Sequence, residues 1–387
     1  MTTTIDNEQK TLNVPNLRFP EFEGEWVVSR LSEYLNENKE RNKKGLFNKT
    51  DVLSVSGDFG IVNQIDLLGR SFAGASVLPY HVVRLGNIVY TKSPLKEYPY
   101  GIVKTNTGKV GIVSTLYAVY SVNDNANNKF IEYYFSLANR ANRYFKPIVR
   151  IGAKHDMKIG NQEVLTNQVI FPTVKEQEKI ADFLSLLDER ISTQNKIIED
   201  LKKLKSAISD RLFKNIKGDV ITLSEICDIV KGKQINGEYL TESGEYYVMN
   251  GGTEPSGYYG DYNVDANTIS ISEGGNSCGY VQFNTSPFWS GGHCYSIQNI
   301  ADHVDNLYLY HYLKSNEEVI MRLRIGSGLP NIQKKDLTMF KIKVPTFEQQ
   351  ITISTFLSSL ERKAEIEERI QNVILKQKLY LLQQMFI

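Results

Sequence analysis

The chain runs to 387 residues, enough for two to three domains with cores of their own. Apolar residues make up 41% and charged residues 23%, ordinary globular usage that excludes a disordered, collagen-like or membrane-embedded chain. Net charge is +1, which selects no partner by itself, but the charge is unevenly spread. Residues 1–173 carry +5, residues 174–214 carry +1, residues 215–346 carry −5 and residues 347–387 carry zero. The first large block can attract a polyanion; the second has the wrong sign for one.

The opening MTTTIDNEQK lacks the basic region and apolar core of a signal peptide. The longest near-apolar run, residues 111–122, is too short to span a bilayer. Cys227, Cys278 and Cys294 leave an odd thiol and form no CxxC pair. These features predict a cytoplasmic protein with no membrane partner.

Residues 16–171 are rich in Gly, Asn, Ser, Tyr and β-branched residues. Runs such as 81–90 and 111–122, bounded by turn residues, read as strands, and a helical pattern follows near residues 130–145. A long helix is predicted over 174–214. Its seam runs Ile180, Leu184, Leu187, Ile191, Gln194, Ile198, Leu201, Lys205, Ile208, Leu212, in steps of four and three. That is a coiled-coil heptad with polar breaks at Gln194 and Lys205. Residues 218–344 repeat the first character, with strand-like runs at 268–272 and 280–283 and a helical pattern over 307–321. A second long helix is predicted over 347–387. It begins Ile353, Leu357, Leu360, Ala364, drifts to Ile366, Ile370 and Val373, and recovers at Leu381 and Met385. About 40 residues of helix measure roughly 60 Å, too long for the interior of one small domain. Each helix shows one apolar stripe, so each is the natural partner of the other; packing on another protein is the rival reading.

The two halves are related by an internal repeat at an offset of 173 residues. Pro172-Thr173 aligns with Pro345-Thr346, Gln177 with Gln350, Ile180 with Ile353, Phe183-Leu184-Ser185 with Phe356-Leu357-Ser358, Leu187 with Leu360 and Phe213 with Phe386. Twelve of 43 positions are identical without a gap. Fainter marks pair Leu31-Ser32-Glu33 with Leu223-Ser224-Glu225, and Arg150-Ile151-Gly152 with Arg324-Ile325-Gly326. The predicted fold class is α+β: two similar mixed domains separated by two long antiparallel helices that form a coiled-coil spacer with pseudo-two-fold symmetry. Such a rod would hold two binding surfaces a fixed distance apart. Duplex DNA uses that geometry, its half-sites on one face lying about 34–36 Å apart.

Over nearly its full length the sequence resembles the DNA specificity subunits of type I restriction–modification systems. The resemblance rests on Pro172, Glu176, Gln177, Ile180, Phe183, Leu184, Leu187 and Asp188, repeated as Pro345, Gln349, Gln350, Ile353, Phe356, Leu357, Leu360 and Glu361. The second copy departs where Gln349 replaces Glu and Glu361 replaces Asp. The resemblance implies target-recognition domains over 1–173 and 215–346, each reading one half of a split, asymmetric DNA target. It implies spacer helices over 174–214 and 347–387 that set the gap and dock two modification (methyltransferase) subunits. S-adenosylmethionine, ATP and Mg would belong to those and to the restriction subunits, with no cofactor bound by this chain.

The motif search agrees with a non-catalytic role. There is no GxxxxGK[ST] phosphate loop and no Asn-Pro-Pro-Tyr-like run. His293-Cys294 beside Cys278 lacks metal-ligand spacing. The glycine-rich segments at 273–276 and 326–328 read as tight turns. DNA contacts are expected from Lys39, Arg41, Lys43 and Lys44, whose alternative is a solvated face; from Lys92; and from Arg140, Arg143, Lys146, Arg150, Lys154 and Lys158, interleaved with Tyr144 and Phe145. In the second domain the candidates are Lys231, Lys233, Arg322, Arg324, Lys334 and Lys335, set against the acidic balance of their block. Lys205 either approaches DNA or pairs across the seam. Two other readings stay open: a scaffold binding proteins or glycans, and a hydrolase with an unrecognised site. Salt-dependent duplex binding separates the first of these from a DNA reader, and turnover of a nucleotide or ester would reveal the second.

Overall fold

In the computed structural model, residues 12–152, 157–326 and 330–387 are described. The chain divides into two units, residues 1–192 with 372–387, and residues 193–371. In the first unit the central sheet holds β1 (Leu35–Glu37), β2 (Ile88–Thr91), β3 (Val103–Thr105) and β4 (Tyr117–Val122), in the antiparallel order β1-β4-β2-β3. The runs 81–90 and 111–122 are each broken into two strands. His81–Val83 pairs with Gly111–Val113 in a separate ladder, because Gly86 and Ser114 turn the chain between the pieces. Two helices follow, α1 (Asn128–Tyr134) and α2 (Ala138–Phe145). Val27–Arg30 then pairs with Gln168–Phe171, which leads into the long helix α3 (Val174–Asn215).

The second unit repeats this plan. Its sheet holds β5 (Asp228–Lys231), β6 (Thr268–Ser272), β7 (Val281–Asn284) and β8 (Cys294–Gln298), in the order β5-β8-β6-β7. The registers match residue for residue: Ile88 lies opposite Tyr120 and Thr105, and Ile269 opposite Ile297 and Phe283. A helix α4 (Asn306–Ser315) follows, Asp219–Thr222 pairs with Lys341–Val344, and α5 (Phe347–Gln384) begins.

Each unit contains the start of one long helix and the end of the other, running antiparallel. In the first, Ile180 and Leu184 are buried with Leu381, Leu382 and Met385, and Phe386 sits 5.1 Å from Phe130 and 6.5 Å from Trp26, ring centre to ring centre. In the second, Leu357 is buried with Phe213, whose ring lies 5.8 Å from Tyr308 and 5.2 Å from Tyr312. Phe213 and Phe386 are repeat mates, so each helix ends by placing the same side chain in an aromatic core.

On α3 every position of the predicted seam is buried or half-buried. On α5 the reading needs correction: Ile366, Ile370 and Val373 are exposed. The inward stripe keeps the heptad through Glu367, Gln371, Ile374 and Lys378 instead. These polar side chains turn inward because each finds a partner. Gln194 Nε2 donates to Glu367 Oε2 at 2.7 Å, Gln371 donates to Asn195, and Lys378 pairs with Asp188. Lys205 pairs across the seam with Glu361 at 2.6 Å.

Candidate nucleic-acid interface

The repeated signature fastens each mixed domain to its long helix. Gln177 is fully buried; its Nε2 donates to the carbonyls of Asn125 and Pro172, and its Oε1 accepts from Asn127 N at 2.9 Å. Gln350 does the same with the His303 and Pro345 carbonyls and with Asp305 N at 2.8 Å. Asn127 and Asp305 are the capping residues of α1 and α4, so the glutamine ties one helix start to another. Asp188 accepts from Tyr133 Oη at 2.6 Å and pairs with Lys378; its mate Glu361 accepts from Tyr310 Oη at 3.1 Å and pairs with Lys205. The Asp-to-Glu departure therefore keeps the contact. The Glu-to-Gln departure has a cause as well. Glu176 is held by Arg18 at 2.7 Å and by Trp26 Nε1 at 3.2 Å, whereas Gln349 is exposed. Replacing Gln350 by Ala strands two carbonyls and one N–H; we expect a loss of about 1–3 kcal/mol in urea unfolding, whereas Gln349→Ala changes it by less than about 0.5 kcal/mol.

The cationic candidates of the first unit fall in separate places. Lys39, Lys43 and Lys44 are exposed, and Arg41 Nη1 donates to Pro79 O at 2.8 Å. Lys92 turns inward and donates to Asn161 Oδ1 at 2.5 Å; burial lowers its pKa, against the pull of Glu37. Burial raises the Glu37 carboxyl, but hydrogen bonds from Asn161 and Gln162 hold it below its usual range. Arg143 and Lys146 are exposed at the C-terminal end of α2, and Arg150 and Lys158 are direct partners on a short ladder. Lys154 lies outside the described residues. Arg140 is a structural residue, contrary to expectation: it is buried, donates to the carbonyls of Tyr134 and Leu382, and stacks over Tyr134 and Phe386. Burial pushes its pKa down to about 10. Tyr144 and Phe145 are likewise core residues rather than exposed stacking platforms.

In the second unit Lys233, Arg322, Arg324, Lys334 and Lys335 are all exposed. Lys231, on β5, points its Nζ at Glu273 Oε1, 2.7 Å away. Glu273 carries no functional signal in the sequence, because Glu273-Gly274-Gly275 has the composition of a turn. The glycines do turn, Gly275 with φ +74°, but the glutamate ahead of them is buried. Burial pushes the Cys294 thiol up to about 11, and Cys278 donates to the Glu273 carbonyl. Among the described residues no group of three His, Cys, Asp or Glu side chains is placed to hold a metal ion. No described helix is long and apolar enough to cross a membrane.

Residues 83–203 and 215–376 match the family described as type I restriction modification DNA specificity domain. The chain belongs to that family. Its two matched stretches each carry a four-stranded sheet or most of one, and each runs into a long helix. Among curated relatives of the specificity-domain family, a putative type I specificity subunit of Mycoplasma genitalium, S.MgeORF438P, is 32% identical over 165 residues, 41% of this chain and 43% of that protein. S.MpnORF638P of Mycoplasma pneumoniae is 34% identical over 146 residues, 37% of this chain and 39% of that one. These alignments thus span less than half the length of either relative. Among solved structures, the type I S subunit from M. genitalium superimposes with a TM-score of 0.67 at 18% identity, over 97% of this chain and 99% of that chain. A chain of the type I R-M system, from a study of complex assembly, does so with a TM-score of 0.56 at 15% identity, over 93% and 97%. Both share the fold of this chain.

Proposed function

We propose that this chain is the non-catalytic DNA specificity subunit of a type I restriction–modification complex in the cytoplasm. Each recognition domain reads one half of a bipartite, asymmetric target, while α3 and α5 set the spacing and dock two modification subunits. S-adenosylmethionine is carried by those subunits; ATP and Mg serve the restriction subunits that join them. The observation that carries this reading is the duplication itself. Two domains share one sheet register and one way of joining a long helix, yet differ by ten charges between blocks 1–173 and 215–346. A shared frame with divergent surfaces suits two readers of different half-sites.

Mapping methylated adenines across the genome, with and without this chain, tests the proposal. We expect one bipartite motif to vanish with the chain. Exchanging residues 16–171 for the matching segment of a relative should then change one half of the motif and leave the other intact. Methylation that persists at every site without the chain would refute the role; loss of both halves on exchange would refute independent readers.

A further inference from the structure

The acidic balance of the second domain has a sharper form in the sequence. Residues 234–313 hold nine Asp and Glu and no Lys or Arg. That stretch includes β6, β7 and β8, together with the tyrosine-rich ladder of Tyr246–Met249, Tyr258–Tyr259 and Trp289–Ser290. A lobe without cations cannot neutralise phosphates. The cations of this domain flank the stretch, and the fold brings several of them back to one place.

That place is the end of the central strand β6. Glu273 follows it, 6% exposed. Its Oε1 receives Lys231 Nζ at 2.7 Å and the Tyr295 hydroxyl at 3.1 Å. Its Oε2, also buried, has no hydrogen-bond partner among the described residues and lies 3.7 Å from His293 Nδ1. Its carbonyl accepts from Ile332 N at 2.8 Å, two residues before Lys334, and the Ile332 carbonyl accepts from the Tyr295 hydroxyl at 3.0 Å. Asn331 bridges both Gly274 and Ile325, next to Arg324. Lys231 and His293 stand more than half exposed above the carboxylate that orients them.

The first domain shows that this position is used differently in the two halves. By sheet register, the residue matching Glu273 is Lys92, whose Nζ donates to Asn161 Oδ1, an amide that in turn donates to Glu37. Glu37 matches Ile229 rather than Lys231, so the ion pair of Lys231 with a buried carboxylate belongs to the second domain alone among the described residues.

We propose that the edge formed by Lys231, His293, Arg324 and Lys334 is where the second domain contacts duplex DNA, and that Glu273 is its positioning residue, fixing Lys231 and His293 toward phosphates and acceptor groups on bases. This rests on the DNA-reading role proposed above. The partner chemistry is a polyanion with groove-edge acceptors, matched by donors held on a rigid strand.

The test uses the full chain assembled with its modification subunits and a duplex carrying the mapped motif, titrated across salt concentrations. Lys231→Met should weaken binding roughly tenfold and reduce the slope of log K against log salt by about one. Glu273→Ala should weaken binding several-fold in the wild-type background and clearly less in the Lys231→Met background, where only its hold on His293 is left to lose. Glu273→Gln, which still accepts from Lys231, should restore binding. Thermal unfolding of each variant reports on folding. Glu245→Lys, in the cation-free lobe, should leave the salt slope unchanged. A wild-type complex that binds no duplex overturns the DNA-reading role and this edge together. A complex that binds normally with Lys231→Met, loses as much from Glu273→Ala without Lys231 as with it, or gains slope from Glu245→Lys overturns this edge alone.

Discussion

Leu184→Ala and Leu357→Ala should each lower the stability of their own unit by about 2–5 kcal/mol, the range for removing a buried leucine from a core that cannot collapse. The two leucines are repeat mates and both are fully buried. Leu184 lies among Ile180, Leu381, Met385 and the aromatic group of Trp26, Phe130 and Phe386; Leu357 lies among Phe213, Tyr308 and Val344. Neither cavity can close easily, because each leucine belongs to a large close-packed cluster rich in aromatic side chains. Leu186→Ala, at a leucine 63% exposed, should change stability by less than about 0.5 kcal/mol. Urea unfolding followed by amide exchange checks the assignment. Leu184→Ala should speed exchange in residues 180–187 and 381–386, and Leu357→Ala in residues 353–360 and 208–213. Exchange that spreads evenly through the chain, or a loss below about 1 kcal/mol at either leucine, would mean that the helix start and the opposite helix end do not share a core.

The long helices were legible because their signal is local and repeated. No proline or glycine interrupts them, and the 173-residue offset keeps Gln177, Leu184 and Phe213 in register with Gln350, Leu357 and Phe386. The inner face of α5 was not legible, because hydrophobic periodicity assumes that the inward stripe is apolar. Glu367, Gln371 and Lys378 break that assumption, each matched by a side chain on α3 that lies more than 170 residues away in sequence. Arg140 misled for a related reason. An arginine among other cations reads as a surface cluster, but its partners are carbonyls, one of them 242 residues distant. The sheets were visible only as apolar runs. Their register, and with it the match of Lys92 to Glu273, depends on pairings that no local pattern encodes.

Acid should loosen both units before their carboxylates begin to titrate. His311, on α4, is buried with Nε2 2.9 Å from Ser358 Oγ. Burial, aided by the nearby Lys205 charge and opposed by Glu361 and Asp305, pushes its pKa down to about 4. In the unfolded chain the imidazole titrates near 6.5. The folded state therefore binds fewer protons, so the contribution is fully present above pH ~6.5 and falls as pH drops toward 4. At pH 5 the loss from this histidine is about 2 kcal/mol, approaching about 3 kcal/mol below pH 4. His81 adds a loss of the same sign. It is buried in the first unit, its pKa is also pushed down to about 4 by burial and by Arg41, and its Nδ1 has no partner among the described residues. Glu37 and Glu40, whose carboxyls sit below their usual range, weaken the fold only once pH falls below about 4.5, so the window from 6.5 to 5 isolates the histidines. Unfolding free energies measured at pH 7.5, 6 and 5 should decline steadily for the wild type. His311→Gln, which keeps a partner for Ser358, should remove about 2 kcal/mol of that decline from the second unit. An unchanged pH profile in the variant would show that His311 is already charged in the folded protein, or that it is solvated rather than sealed behind α5.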